Sequence, residues 1–309
     1  EGSKRAGSGE EERRREKEKP SEKKAEKLLE LEGKKFGSLE VQKKLYQGPA
    51  SVIYKVRHPK HDRICTLKLI REDVEVSVLH RNRFIRGAKY AGHVDHPNLA
   101  RPLKGGRHHG TFYVLAEYVD GSNLQERMES RLEPMELPDA LKVTTQLLAA
   151  LQALYEAGYV HRNVRPDNVL VCDDLKTYLT DFDLTMPLPG ADEAAITRVV
   201  EGRVKVEPAF ASPEMILHPI SADQRADVFS AGACLYFMLT GEAPFANTVP
   251  RDNPNVVFDR HMHDPKKLNP DIPQAVLTVM NDAMEAHEAD RYREPADMKE
   301  VVEELLEEM

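Results

Sequence analysis

Long apolar runs are missing from this chain: no stretch approaches the roughly 20 apolar residues that a membrane-spanning helix needs, and no secretory leader opens it. Cysteine is scarce, with three in 309 residues. Cys65, Cys172 and Cys234 lack the paired spacing of a zinc site and the even count of a secreted disulfide framework, so a reducing, cytoplasmic setting is expected. Positive charge does not dominate either. The formal net charge is -8 and the pI ≈ 5.9, which argues against a nucleic-acid partner, since phosphate binding needs a basic surface. The histidine pairs His93/His96, His108/His109 and His261/His263 have no cysteine or carboxylate cluster to complete a metal site. No Gly-x-Ser-x-Gly element or Cys/His arrangement points to hydrolysis.

Hydrophobic residues, at 40%, suffice for a sizeable core. They are distributed unevenly. Residues 1–37 are mostly Glu, Lys, Arg, Ser and Gly, with Pro20 and a small group at Leu28, Leu29 and Leu31, a composition expected to form a charged disordered linker. The chain opens on Glu1 rather than methionine, and a further domain on that side is expected as a neighbour.

From Ser38 the pattern changes. Residues 39–45 and 51–56 alternate apolar and polar about a Gly48-Pro49 turn, as a β-hairpin does, and 64–70 reads as a third strand. Residues 83–92 carry a helical period that stops before His96-Pro97-Asn98. Residues 111–119 read as another strand, and 138–158 as a buried helix ending at Gly158. A helix is expected over 298–309.

Six motifs follow in order: Lys68 in Thr66-Leu67-Lys68; His96-Pro97-Asn98; His161-Arg162-Asn163 with Asn168 five residues on; Asp181-Phe182-Asp183; Ser212-Pro213-Glu214; and the 227–245 run beginning Asp227-Val228-Phe229-Ser230-Ala231-Gly232. Their order and spacing resemble the protein kinase family, of the bacterial Ser/Thr type, from about Leu39 to the last helix. The resemblance implies an α+β, two-lobed fold, with a small β-rich N-lobe over 38–119 and a larger helical C-lobe over 120–309. It also assigns residues. Gly48, Ile53, Thr66, Lys68, Ala116, Glu117, Val119 and Leu170 fall at nucleotide-binding positions, Asn168 and Asp181 at magnesium positions, and Asn163 and Arg165 in the catalytic loop. Arg291 falls where an arginine holds the Ser-Pro-Glu glutamate.

Departures from the family pattern cluster at the chemistry. Asn163 stands where an aspartate takes the substrate hydroxyl's proton, and an amide has no useful basicity near neutral pH. Tyr46 and Ser51 replace two of three loop glycines, Thr66 replaces the alanine that faces adenine, and Asp183 replaces a glycine, losing freedom at positive φ. Gly87 falls where a glutamate should pair with Lys68, and Glu207 where a threonine is expected. In a helix, glycine costs about 1 kcal/mol against alanine, so its presence at 87 needs a packing or functional reason. The expectation is a pseudokinase, a regulatory or scaffolding module with a protein partner and with ATP and Mg²⁺ bound weakly or not at all. The alternative is an atypical active Ser/Thr protein kinase.

Overall fold

Alternation of apolar and polar side chains builds the first half of the molecule. The computed structural model describes residues 30–71, 78–190, 206–245, 254–259 and 261–309. The described residues fall into two units, one running up to Ile85 and taking in Leu103–Tyr118, the other comprising Arg86–Pro102 and Val119–Met309.

The smaller unit is a six-stranded sheet of β1 (Lys35–Phe36), β2 (Leu39–Gln47), β3 (Ser51–His58), β4 (Arg63–Ile70), β5 (Pro102–His108) and β6 (Thr111–Glu117), ordered β1-β2-β3-β4-β6-β5. Because strand side chains alternate between faces, Val52, Tyr54 and Val56 of β3 share a buried face with Cys65, Leu67 and Leu69 of β4 and Leu115 of β6. The antiparallel register puts the intervening residues on the other face in two rows, Ile53 with Lys68 and Val114, and Lys55 with Thr66 and Ala116. Most of the stretch expected as a linker lies outside the described residues. Its end is folded: Lys35 and Phe36 pair with β2, and Phe36 buries its ring edge-on to Tyr113.

Helix α1 (Val78–Ala91) starts earlier than its periodicity indicates, and the division between the units falls inside it, between Ile85 and Arg86. The larger unit is mainly helical: α2 (Leu124–Glu129), α3 (Leu137–Glu156), α4 (Pro213–Leu217), α5 (Gln224–Thr240), α6 (Pro265–Leu268), α7 (Gln274–Ala283) and α8 (Pro295–Glu307). Helix α5 is buried on every side from Ala226 to Thr240, as a helix apolar all round must be. Its ends are well defined. The Asp223 side chain accepts from the Arg225 N–H at the start, and Gly241, at φ 76°, closes the helix in the left-handed conformation that glycine tolerates. Helices α3, α7 and α8 pack against it and enclose the main core.

Short strands on this helical base hold two loops. Strands β7 (Ser122–Asn123), β9 (Val169–Val171) and β10 (Thr177–Leu179) form one sheet, and β8 (Tyr159–Val160) with β11 (Met186–Pro187) a second. The catalytic-loop motif therefore spans β8 to β9, and Asp181-Phe182-Asp183 spans β10 to β11. Among the described residues, no helix is long and apolar enough to cross a membrane.

Candidate functional site

In the smaller unit, the residues expected near a nucleotide share the non-core face of the sheet. Ile53, Lys68, Thr66 and Ala116 are cross-strand neighbours there, so the bulk that Ala116 lacks is supplied beside it by Thr66. Lys68 Nζ lies 5.7 Å from the ring centroid of Phe84, a fully buried residue of α1. Helix α1 contains no Asp or Glu, so it offers the lysine an aromatic face instead of a carboxylate. Glu117 is engaged by Arg63, Nη2 to Oε1 at 2.7 Å.

Phosphates held by a glycine loop need bare backbone with N–H groups to spare. Here the turn is packed on itself. The Gly48 N–H donates to Ser51 O at 2.9 Å, and its carbonyl accepts from Arg71 Nη1 at 2.9 Å. A Cβ at Gly48 would meet Tyr46 Cε1 at 2.8 Å, so the open side of the glycine is covered by the Tyr46 ring. The hairpin fits a phosphate cradle poorly.

In the larger unit the catalytic loop is fully braced. The Asp227 carboxylate, at the start of α5, accepts the N–H groups of His161 and Arg162, both at 2.7 Å. Burial pushes that carboxyl up to about 7, against the pull of its two N–H donors. His161 is buried edge-on to Phe182; it accepts the Asn163 N–H at Nδ1 (3.3 Å), so Nε2 carries the ring proton and donates to Thr180 O (3.1 Å). Burial lowers its pKa to about 4 and keeps the ring neutral. Asn168 Nδ2 donates to the Asn163 carbonyl at 2.7 Å. Asn163 is therefore held, half-buried, in a complete loop.

Asp181 lies alongside Asn168, because the Thr180 N–H donates to the Asn168 carbonyl at 2.9 Å. With the Asn168 amide nitrogen occupied, Asn168 Oδ1 and the Asp181 carboxylate are oxygen donors of the kind Mg²⁺ takes. Among the described residues no three His, Cys, Asp or Glu gather into a metal site. Mg²⁺ here would complete its coordination with water or phosphate oxygens. The backbone constraint expected at Asp183 sits elsewhere: Asp181, at φ 61°, and Arg162, at φ 69°, take the left-handed conformation, and Asp183 does not.

Gly87 has its packing reason. A Cβ there would lie 1.8 Å from the Phe182 carbonyl oxygen and 2.8 Å from its carbon, so α1 meets the Phe182 backbone without room for any side chain. Arg165 serves two carboxylates: its Nε donates to Asp167 Oδ2 at 2.9 Å and its Nη1 to Glu207 Oε2 at 3.2 Å. Arg291, its side chain fully buried, grips Glu214 with Nη1 and Nη2 at 2.6 and 2.9 Å, as the resemblance implies.

A family model described as the protein kinase domain matches residues 39–308. The chain belongs to the protein kinase family. Its relatives include the serine/threonine-protein kinase PknJ of Mycobacterium tuberculosis, 30% identical over 218 residues that cover 69% of this chain and 36% of PknJ. PknF of the same organism is 27% identical over 274 residues, 86% of this chain and 56% of PknF. The chain thus spans between about a third and just over half the length of these curated relatives. The crystal structure of the M. tuberculosis PknI kinase domain superposes with a TM-score of 0.70 at 21% identity, covering 88% of this chain and 98% of that domain. The two-lobed protein kinase fold expected from the motifs is the fold present.

Each lobe of this kinase-family chain gathers its own expected residues. The N-lobe sheet groups Ile53, Thr66, Lys68 and Ala116 on one face, with Gly48 in the adjoining turn and Glu117 at the end of β6. The C-lobe groups Asn163, Arg165, Asn168 and Asp181 around the catalytic loop, with Leu170 on β9 behind it and Val119 just before β7. Phe84, Arg71 and the Arg165 to Glu207 contact were not found from sequence, since each depends on a partner outside its own motif.

Proposed function

We propose that this chain is a pseudokinase: a protein-kinase-fold module that regulates or scaffolds a protein partner in a reducing, cytoplasmic setting and binds Mg²⁺ and ATP weakly or not at all. The observation that carries this reading is Asn163. Its loop is braced by Asp227, His161 and Asn168, so the base position is well ordered and holds an amide. Loss of a general base costs typically about 10²–10⁴ in rate. The self-packed Gly48 turn and the contact of Gly87 with Phe182 support further loss, because phosphoryl transfer depends chiefly on positioning and charge around the nucleotide. The deciding experiment is phosphotransfer with labelled ATP and Mg²⁺ or Mn²⁺: turnover far below the roughly 1–100 s⁻¹ of active kinases is expected.

A second reading, an atypical active Ser/Thr kinase, draws on two observations. The relatives are named as serine/threonine-protein kinases. Lys68, Asn168 and Asp181 are also kept. Saturable, Mg²⁺-dependent turnover in the range above would establish it in place of the first.

A further inference from the structure

We propose that the outer edge of β2 is the docking site for the protein partner, which adds an extended, acidic strand to the N-lobe sheet. In the order β1-β2-β3-β4-β6-β5, β1 covers only the start of β2, pairing Phe36 with Leu39 and Lys35 with Glu40. Backbone bonds from Gly33 to the Val41 carbonyl and from Val41 to the Lys34 carbonyl, both 2.9 Å, extend that cover by one residue. The preceding chain then leaves the edge. It turns over residues 31–34, with the Lys34 N–H on the Leu31 carbonyl at 2.9 Å, and Leu31 packs against the sheet core. Among the described residues, no strand pairs with the outer side of β2 from Gln42 to Gln47.

Two observations show what this edge accepts. The Lys44 N–H points outward and donates to Glu32 Oε1 at 2.5 Å, so a carboxylate already sits against the edge. The register with β3 slips by one residue between Lys44 and Tyr46, which leaves Leu45 with no residue opposite it; Leu45 is 39% exposed and Tyr46 48%. Charge selects the partner. Lys34, Lys35, Lys43 and Lys44 lie along this edge with Glu32 and Glu40, and Glu40 is shared with Arg57 at 3.8 Å. Lysines on an edge discourage pairing with neutral or basic strands and leave an acidic one admissible. In a chain of net charge -8, this local excess of cations complements a strand rich in Asp or Glu. It also works against a second copy, since two β2 edges joined together would set lysines against lysines. Main-chain hydrogen bonds supply the affinity of an added strand, and Leu45 and Tyr46 its side-chain contacts. The proposal rests on the reading of this chain as a module for a protein partner and names the partner's form.

The test uses the full chain and a short synthetic peptide that alternates Glu with Val and Tyr. Fluorescence anisotropy is expected to show saturable binding, and hydrogen exchange to show the outward amides of residues 43–47 slowed by it. The same peptide with alternate amides N-methylated keeps its charge but loses a row of main-chain donors, and should bind at least about tenfold more weakly. A peptide with Lys for Glu, and the acidic peptide on Lys43→Glu, should also bind more weakly. Equal binding of the N-methylated peptide would reduce the contact to charge attraction and overturn strand addition. Absence of binding overturns it too. So does full protection of those outward amides in the free chain, which would mean that a second copy or the chain's own N-terminal residues fill the edge, a choice that sedimentation decides. Wild-type phosphotransfer, on which the pseudokinase reading stands or falls, is independent of all these results.

Discussion

Replacing Gly87 by alanine opposes two effects of known sign. Helix propensity alone favours alanine at a helical position by about 1 kcal/mol, which in a chain of this size would raise Tm by roughly 2–4 °C. The structure argues the other way. The new methyl would stand 1.8 Å from the Phe182 carbonyl oxygen, 2.8 Å from its carbon and 3.3 Å from Asp183 Cα, whereas a comfortable carbon to oxygen approach is about 3.3 Å. The two backbones must separate by roughly 1.5 Å. Overpacking costs typically about 1–3 kcal/mol, and the upper end applies where neither side has a rotamer to turn. The net expectation is a loss of about 2 kcal/mol, seen as a Tm lower by about 4–8 °C in a thermal melt. Gly87→Glu, which would supply the glutamate that the family resemblance leads one to expect at this position, should be at least as damaging. An alanine variant as stable as wild type, or more so, would refute the close approach of α1 to Phe182 and the account of why that glutamate is gone.

Other outcomes follow from the same contacts. Asp227→Asn keeps one acceptor and turns an amide N–H toward the second backbone donor; leaving that buried N–H unmet should cost about 1–3 kcal/mol, measured as a fall in the urea midpoint at constant slope. The pH profile should separate two opposed groups. His161, held neutral down to about 4, binds fewer protons folded than unfolded below 6.5, so it removes stability as pH falls through that window, by about 3 kcal/mol in all. Asp227, raised to about 7, binds more protons folded between 3.8 and 7, so its contribution falls as pH rises. The wild-type midpoint should change little from pH 7 to 4.5, while Asp227→Asn should lose stability steadily over the same range; parallel profiles would contradict these assignments. For nucleotide, a ligand at 100 times its Kd adds about 2.7 kcal/mol, or roughly 5–10 °C here, and millimolar ATP with Mg²⁺ should fall well short of that. Thr66→Ala and Tyr46→Gly, which clear the adenine face and the Gly48 turn, should each enlarge the shift; no change from either would mean that crowding is not the limiting factor.

What could be read from sequence was what depends on neighbours in the chain. Strands β2, β3 and β4 follow their own alternation to within two residues, and α3 follows its helical period; α5, buried all round, was legible only through the family motif. Asn163 was legible because the consequence of exchanging a carboxylate for an amide is carried by that side chain itself. Strand β5 was not, since Lys104-Gly105-Gly106-Arg107 has no alternating pattern and lies on a sheet edge with one partner. The reason for Gly87 lies in a carbonyl on a distant segment, and Glu207 finds its partner in an arginine of another loop, so no local pattern carries either. At Asp183 the glycine of the family motif suggested a positive φ, but the left-handed residue is Asp181, which aspartate tolerates better than most side chains.

The central claim is that the catalytic loop is intact in form and lacks its base. Phosphotransfer by wild type and by Asn163→Asp, with labelled ATP, Mg²⁺ or Mn²⁺ and generic protein substrates, tests it most directly. The account expects wild-type turnover absent or far below roughly 1 s⁻¹, and no full recovery in Asn163→Asp, because α1 still brings no carboxylate to Lys68. Wild-type turnover within the ordinary kinase range, or full activity from that one substitution, would contradict it.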